Sequence, residues 1–259
     1  MDISGNTVLI TGGAGGIGLL LADRLSALGN RLIVTGRNPE KLREAEARIP
    51  GLTAIRSDLS EAESIAALHD EVMRIAPELN ILVNNAGSMR KLSLLSSTGD
   101  LRDITREVES NLMGPIRMVA EFLPDLECAD RPAIVNVTSG LAFVPWPIAP
   151  IYCATKAGLH SYTVSLRIQL AKTKVKVFEL MPQATRTGLL GAFDESDFAG
   201  ISTMPVEKLV SAAINGLRKD TFEIRPGQSN VLRLMNRIAP KFIQGQMTKA
   251  VPALVAQTD

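Results

Sequence analysis

Hydrophobic positions in this chain follow two alternating rhythms. Short runs rich in β-branched residues, TVLIT (7–11), RLIVT (31–35), LTAIR (52–56), NILVN (80–84), AIVNV (133–137) and KVFEL (176–180), are apolar with little alternation. Strands of that kind belong in a parallel sheet buried on both faces. Between them lie longer stretches with apolar residues every three or four positions. Ile65, Leu68, Val72 and Ile75, for example, form one stripe of an amphipathic helix. Strand and helix in alternation predict an α/β fold with a doubly wound, Rossmann-like parallel sheet and helices on both faces.

The helix ends are also legible. Asn38 is placed to cap the second helix with Pro39 as its first residue, and Ser60 and Glu63 have capping-box spacing at the start of the third. Residues 185–204, with glycines scattered among Leu189 and Phe193, predict an irregular lid. A helix from Val206 to Leu217, an edge strand in FEIRPG and a last helix from Val231 to Ile238 follow. No linker or repeat interrupts the pattern, so 1–259 is expected to be one domain.

Composition narrows the function classes. The 28 basic and 27 acidic side chains leave a net charge of +1, which supplies no general field for nucleic acid or an anionic membrane, and neither is expected as a partner. The N-terminal MDISGNTV lacks a basic, then apolar, leader, so a soluble cytoplasmic location is expected. Cys128 and Cys153 are too isolated for a disulfide framework and are expected to be reduced and buried. No metal site is expected, because His69 and His160 lie on different helices without Cys or His partners at ligand spacing.

The first strand runs directly into Thr11-Gly12-Gly13-Ala14-Gly15-Gly16-Ile17-Gly18, which opens a helix. Glycines there allow the backbone to approach a pyrophosphate, whose charge would rest on the free N–H groups at the helix start. Tyr152 and Lys156 stand four apart on a helix starting near Pro150, so they share a face one turn apart. A free tyrosine, with a pKa near 10, is a poor acid or base at neutral pH unless a cation favours its phenolate. Ser139 lies thirteen residues before Tyr152, at the carboxyl end of a strand, where open α/β sheets bind ligands.

These motifs, TGxxxGxG and Tyr-x-x-x-Lys with its preceding serine, resemble the short-chain dehydrogenase/reductase family over nearly the whole chain, most closely its DltE-type oxidoreductases. The resemblance implies about seven strands, a nicotinamide cofactor, and a homodimer or homotetramer. It also implies a catalytic set of Asn111, Ser139, Tyr152 and Lys156. Tyr152 would pass a proton to or from the substrate oxygen, and Ser139 would hydrogen-bond that oxygen. Lys156 would lower the Tyr152 pKa and hold the nicotinamide ribose, and Asn111 would support a water that feeds the lysine. Gly12, Gly16, Ile17, Gly18, Asp58, Asn85, Gly87, Tyr152, Lys156, Pro182 and Thr187 would contact the cofactor. The family's glycine after Pro182 is replaced by Gln183, which puts the backbone shape there and the substrate pocket in question.

The second strand ends Thr35-Gly36-Arg37-Asn38, without the carboxylate that binds the ribose hydroxyls of NAD. Arg37 suits a 2′-phosphate, so NADP(H) is favoured and NAD(H) stays open. Leu141, Phe143, Trp146, Leu189 and Phe193, with Met89 nearby, suggest an apolar pocket for a ketone, aldehyde or secondary alcohol. Arg90 and Lys91 offer cations to an acidic group. Apolar Leu159, Tyr162, Leu166 and Leu170 on the Tyr152 helix offer a subunit interface. The expected activity is an NADPH-dependent carbonyl reductase or alcohol dehydrogenase. The competing reading is a regulator or scaffold that binds NADP without turnover, which would need the glycine loop but not the proton chain. An epimerase or dehydratase with tightly held NAD ranks lower.

Overall fold

The computed structural model describes residues 1–94, 100–185, 187–191, 193–198 and 201–248. Among them, seven parallel strands form one sheet: β1 (Thr7–Thr11), β2 (Arg31–Gly36), β3 (Thr53–Arg56), β4 (Ile81–Asn84), β5 (Ala133–Val137), β6 (Lys176–Leu180) and β7 (Glu223–Ile224). Their order across the sheet is 3-2-1-4-5-6-7, and every pairing is parallel. The chain first winds outward from β1 to β3 and then returns to the other side of β1. A crevice therefore opens at the carboxyl ends of β1 and β4, where open sheets of this kind bind ligands.

Alternate strand residues feed opposite cores, as the pleat requires. Val8, Ile10, Leu32 and Val34 pack under α1 (Gly16–Ser26), α2 (Pro39–Arg48) and α7 (Val206–Arg218). Leu9, Ile33, Leu82 and Ile134 pack under α3 (Ala62–Ile75), α5 (Gly114–Cys128) and α6 (Pro150–Gln169). Asn38 caps α2 by accepting from the backbone N–H groups of Glu40 and Lys41, with Pro39 at the first turn.

Several expectations needed correction. The capping box at α3 does not form: the Asp58 carboxylate takes both the N–H and hydroxyl of Ser60, and Ser64 accepts from the Asp58 N–H instead. The long helix before β5 is not continuous. Between α4 (Leu101–Val108) and α5, residues Glu109–Met113 form a π-helical turn that carries Asn111. Cys128 is exposed rather than buried, because it sits at the end of α5 on the outward face. Leu159, Leu166 and Leu170 are buried in the chain's own core, and Tyr162 is half-buried against it. The last predicted helix is present as α8 (Ser229–Ile238), but a further helix not foreseen in the sequence, α9 (Pro240–Met247), follows it, with Pro240 as its first residue.

Candidate functional site

The glycine loop is shaped by what touches it. Gly12 has φ +63°, and a Cβ there would sit 2.8 Å from the Ala86 Cα, so only glycine fits. A Cβ on Gly18 would meet the Asn85 side-chain amide at 2.5 Å. That amide donates to the carbonyls of Thr11 and Gly12, while the Thr11 hydroxyl accepts from the N–H groups of Asn85 and Ala86 at 3.0 Å. The two sides of the crevice are thus locked together. The start of α1 has no side-chain cap, which leaves its first N–H groups directed at the cleft.

That cleft, about 540 Å³, is lined by Gly12, Gly16, Ile17, Arg37, Asp58, Asn85, Gly87 and Thr187. Gly18 stands behind it as a packing glycine. Arg37 reaches to 3.9 Å from the Asp58 carboxylate across the far end of the cleft, where both side chains are largely exposed. Lys41, which sequence analysis did not single out, lines the same end from the first turn of α2. Its signal was present only as a helix-surface lysine three residues after the cap.

A second, more enclosed cavity of about 300 Å³ adjoins the cleft. The two share Ile17, Asn85, Gly87, Met89, Thr187 and Leu189 as common lining. Ser139, Tyr152 and Lys156 line this cavity, with Lys156 beside the shared Gly87. Ser139 leaves β5 in extended backbone and caps the short turn Gly140–Ala142, its Oγ accepting from the Leu141 N–H at 3.1 Å. The same hydroxyl acts on the Tyr152 phenol, favouring its ionised form. Gly140 lets α8 pack directly on this turn, since a Cβ there would lie 2.9 Å from the Ser229 Oγ.

The helix bearing Tyr152 and Lys156 is pinned to the strand ends by a buried polar ladder. The Asn84 amide donates to Asn136 Oδ1, and the Asn136 amide donates to Thr163 Oγ1, both at 2.9 Å. Lys156 Nζ donates to the Val137 carbonyl at 2.8 Å and lies 5.7 Å from the centre of the Tyr152 ring. Burial lowers the Lys156 pKa to about 8. Burial also raises the Tyr152 pKa well above its ordinary value, the Ser139 hydroxyl opposing it. Desolvation is the largest influence on each of the two groups.

Asn111 is placed differently from Ser139. Its side chain grips the Ser88 backbone at both ends, accepting from the N–H at 2.8 Å and donating to the carbonyl at 2.7 Å. It stays close to Lys156 through Gly87: a Cβ on Gly87 would lie 3.5 Å from Asn111 Oδ1 and 3.6 Å from Lys156 Nζ. The π-helical turn aims this one side chain into the strand end, a detail invisible in helical periodicity.

The cavity walls match expectation in part. Met89, Leu141, Trp146 and Leu189 line it, with Pro182 and Gln183. Pro182 lines this cavity rather than the cleft. Phe143 and Phe193 do not line it. Phe143 packs edge-on against His160 with Arg233 over its face, and Phe193 stacks on Trp146 from behind at 5.2 Å. The rest of the roof comes from Phe198, Ile201, Val231, Leu232, Ile243 and Met247, most of them beyond the predicted lid. Residues 186, 192, 199 and 200 of that lid lie outside the described residues; Thr185 and Met204 close its base with a bridge.

Gln183 fills the space the family leaves to glycine. Its Oε1 accepts from the Gln228 N–H and its amide donates to the Ser202 carbonyl at 3.2 Å, which ties the lid to the start of α8. Arg90 and Lys91 are not available to substrate: Arg90 pairs with Asp103 and Glu107, and Lys91 with Asp197 at 3.0 Å. Behind Ser139, the fully buried Glu179 accepts from the Thr138 hydroxyl at 2.7 Å and meets His160 Nδ1 at 3.0 Å, which raises the His160 pKa.

The family model for short chain dehydrogenases matches residues 6–197, the span that contains the glycine loop and Asn111, Ser139, Tyr152 and Lys156. The chain belongs to that family. It is 40% identical over 227 residues to the uncharacterized oxidoreductase DltE of Bacillus subtilis (strain 168), covering 86% of this chain and 89% of that one. A short-chain dehydrogenase from Sphingobium yanoikuyae in complex with NADPH is 28% identical, with a TM-score of 0.78 over 94% of this chain and 95% of that one. A family member from Burkholderia phymatum in complex with NAD shares the fold, with a TM-score of 0.82 at 20% identity over 92% of this chain and 95% of that one.

Proposed function

We propose that this protein is an NADP(H)-dependent oxidoreductase that interconverts a ketone or aldehyde and an alcohol on a small hydrophobic substrate. The observation that carries this reading is the junction of the two compartments: Ser139, Tyr152 and Lys156 stand where the glycine-loop cleft meets an apolar cavity. The cleft fits a dinucleotide. Its uncapped helix start suits a pyrophosphate, the missing Cβ of Gly12 keeps the loop close to Ala86, and Arg37 and Lys41 suit a 2′-phosphate at the far end. Asn85, Gly87 and Thr187 line both compartments and would hold the nicotinamide end.

When bound, the nicotinamide supplies or accepts the hydride at the substrate carbon. The protein's task is then the proton and the geometry. Ser139 donates to the substrate oxygen from a backbone-fixed turn. Tyr152, kept as a phenol at neutral pH by burial, gives its proton to that oxygen in reduction. Lys156 is the nearest ammonium and restores the proton. Asn111 positions Ser88 and Gly87 beside Lys156 rather than touching the reacting atoms. Leu141, Trp146, Leu189 and the roof exclude water and accept the apolar part of the substrate.

The test is turnover of NADPH and of NADH with a panel of hydrophobic ketones and aldehydes. NADPH-preferring reduction supports the proposal. Tight NADPH binding with no turnover across the panel favours the regulator reading instead.

A further inference from the structure

The proposed reaction leaves the outer face of α8 and α9 unused, and that face has an unusual order. Met235 on α8 and Ile243 and Met247 on α9 pack inward into the apolar wall behind Trp146 and Tyr152. Leu234 and Ile238, one turn apart on α8, face water, exposed by 57 and 65%, with Val231 at 53%, and on α9 Phe242 is exposed by 59%. Arg233 and Arg237 precede Leu234 and Ile238, and Lys241 precedes Phe242. Each of the two helices thus presents exposed apolar residues with a basic residue directly before them.

The charge is one-sided. Between Glu223 and Asp259 the sequence holds no Asp or Glu. Glu223 pairs with Arg225 at 3.0 Å and Arg233 at 2.9 Å; Arg237 and Lys241 make no ion pair among the described residues. The chain-wide balance of +1 hides this local excess. Val231 also lines the cavity, so the cavity reaches the surface on this side.

We propose that the outer face of α8 and α9 docks on an anionic lipid surface. The exposed apolar residues enter the boundary between headgroups and acyl chains, Arg237 and Lys241 meet lipid phosphates, and the cavity opens toward the layer in which apolar substrates concentrate. A second copy of this chain is a poorer occupant. A two-fold contact would bring two such segments together and double the local excess of cations, with no carboxylate between Glu223 and Asp259 to offset it. No helix among the described residues is long and apolar enough to cross a membrane, so the contact is one of surface docking.

Sedimentation of the full chain with vesicles tests this without any need for turnover, so its outcome is separate from that of the proposed reaction. Binding to phosphatidylglycerol–phosphatidylcholine vesicles, weakened by salt and at least ~10-fold above that to phosphatidylcholine alone, is expected. Arg237→Gln with Lys241→Gln should lower partitioning ~10-fold or more, and Leu234→Ser with Ile238→Ser and Phe242→Ser at least as much. These side chains are exposed, so circular dichroism and NADPH binding should be unchanged. Equal or absent sedimentation with both vesicle types overturns the proposal. So does a dimer that the triple serine variant dissolves while anionic vesicles pull down nothing.

Discussion

The two compartments that meet at Asn85, Gly87 and Thr187 are built on opposite principles. The cleft is made of backbone and short side chains held by hydrogen bonds of 2.9–3.2 Å among Thr11, Gly12, Asn85 and Ala86. The cavity is walled mostly by long apolar side chains contributed by separate segments, from Met89 to Met247, with Gln183 as a hydrogen-bonded tie between two of them. The difference teaches where tolerance lies. A hydrogen-bonded loop with no room for a Cβ admits one geometry, whereas a roof of Leu, Ile, Met and Phe can be repacked by volume-conserving change.

Substitutions should break the two halves unequally. The largest effect is expected from Gly12→Val, which forces a β-branched residue into φ +63° against Ala86; nucleotide affinity should fall at least ~100-fold, as read by fluorescence titration. Arg37→Glu should weaken NADPH by roughly 10–100-fold and leave NADH within a few-fold, because it inverts the charge offered to a 2′-phosphate. Equal losses for both nucleotides would place Arg37 outside phosphate recognition. In the roof, Leu232→Ala should raise KM only several-fold with kcat nearly kept, since neighbouring apolar side chains share its contacts.

The pH dependence sharpens the junction itself. Lys156, with its pKa lowered to about 8 by burial, is an ammonium below that pH and neutral above it. Reduction at saturating NADPH should therefore hold steady up to about pH 8 and fall as pH rises further, as the proton supply behind Tyr152 is lost. For stability the sign is opposite. The buried ammonium is a burden wherever it is charged, so the native state gains as pH rises from about 8 toward the ordinary lysine value of 10.5. A kcat profile that rises through pH 8 would remove Lys156 from the proton path.

The cleft was legible in the sequence and the roof was not, for the same physical reason that separates them. Strands β1 to β6 and the glycine loop are local: β-branched runs and a loop directly after a strand place their residues without help from distant segments. Ser139, Tyr152 and Lys156 were legible because a strand end and a helical repeat of four fix them separately, and the sheet brings them together. Phe143 and Phe193 were misplaced because proximity along the chain to a lining residue does not say which way a side chain turns in an irregular loop. Leu232, Ile243 and Met247 were missed because only the tertiary docking of α8 on Gly140 brings them over the cavity. The partner of His160 was equally hidden, since Glu179 reads as one polar residue within an apolar strand.

The most direct test of the junction is Tyr152→Phe, compared with the native chain for NADPH-dependent reduction and, in parallel, for NADPH affinity. The Tyr152 hydroxyl is the group proposed to transfer its proton to the substrate oxygen, which Ser139 only hydrogen-bonds, and Tyr152 does not line the cleft. The account predicts a fall in kcat of roughly 10²–10⁴-fold with an unchanged Kd for NADPH. Turnover within a few-fold of the native value would contradict it.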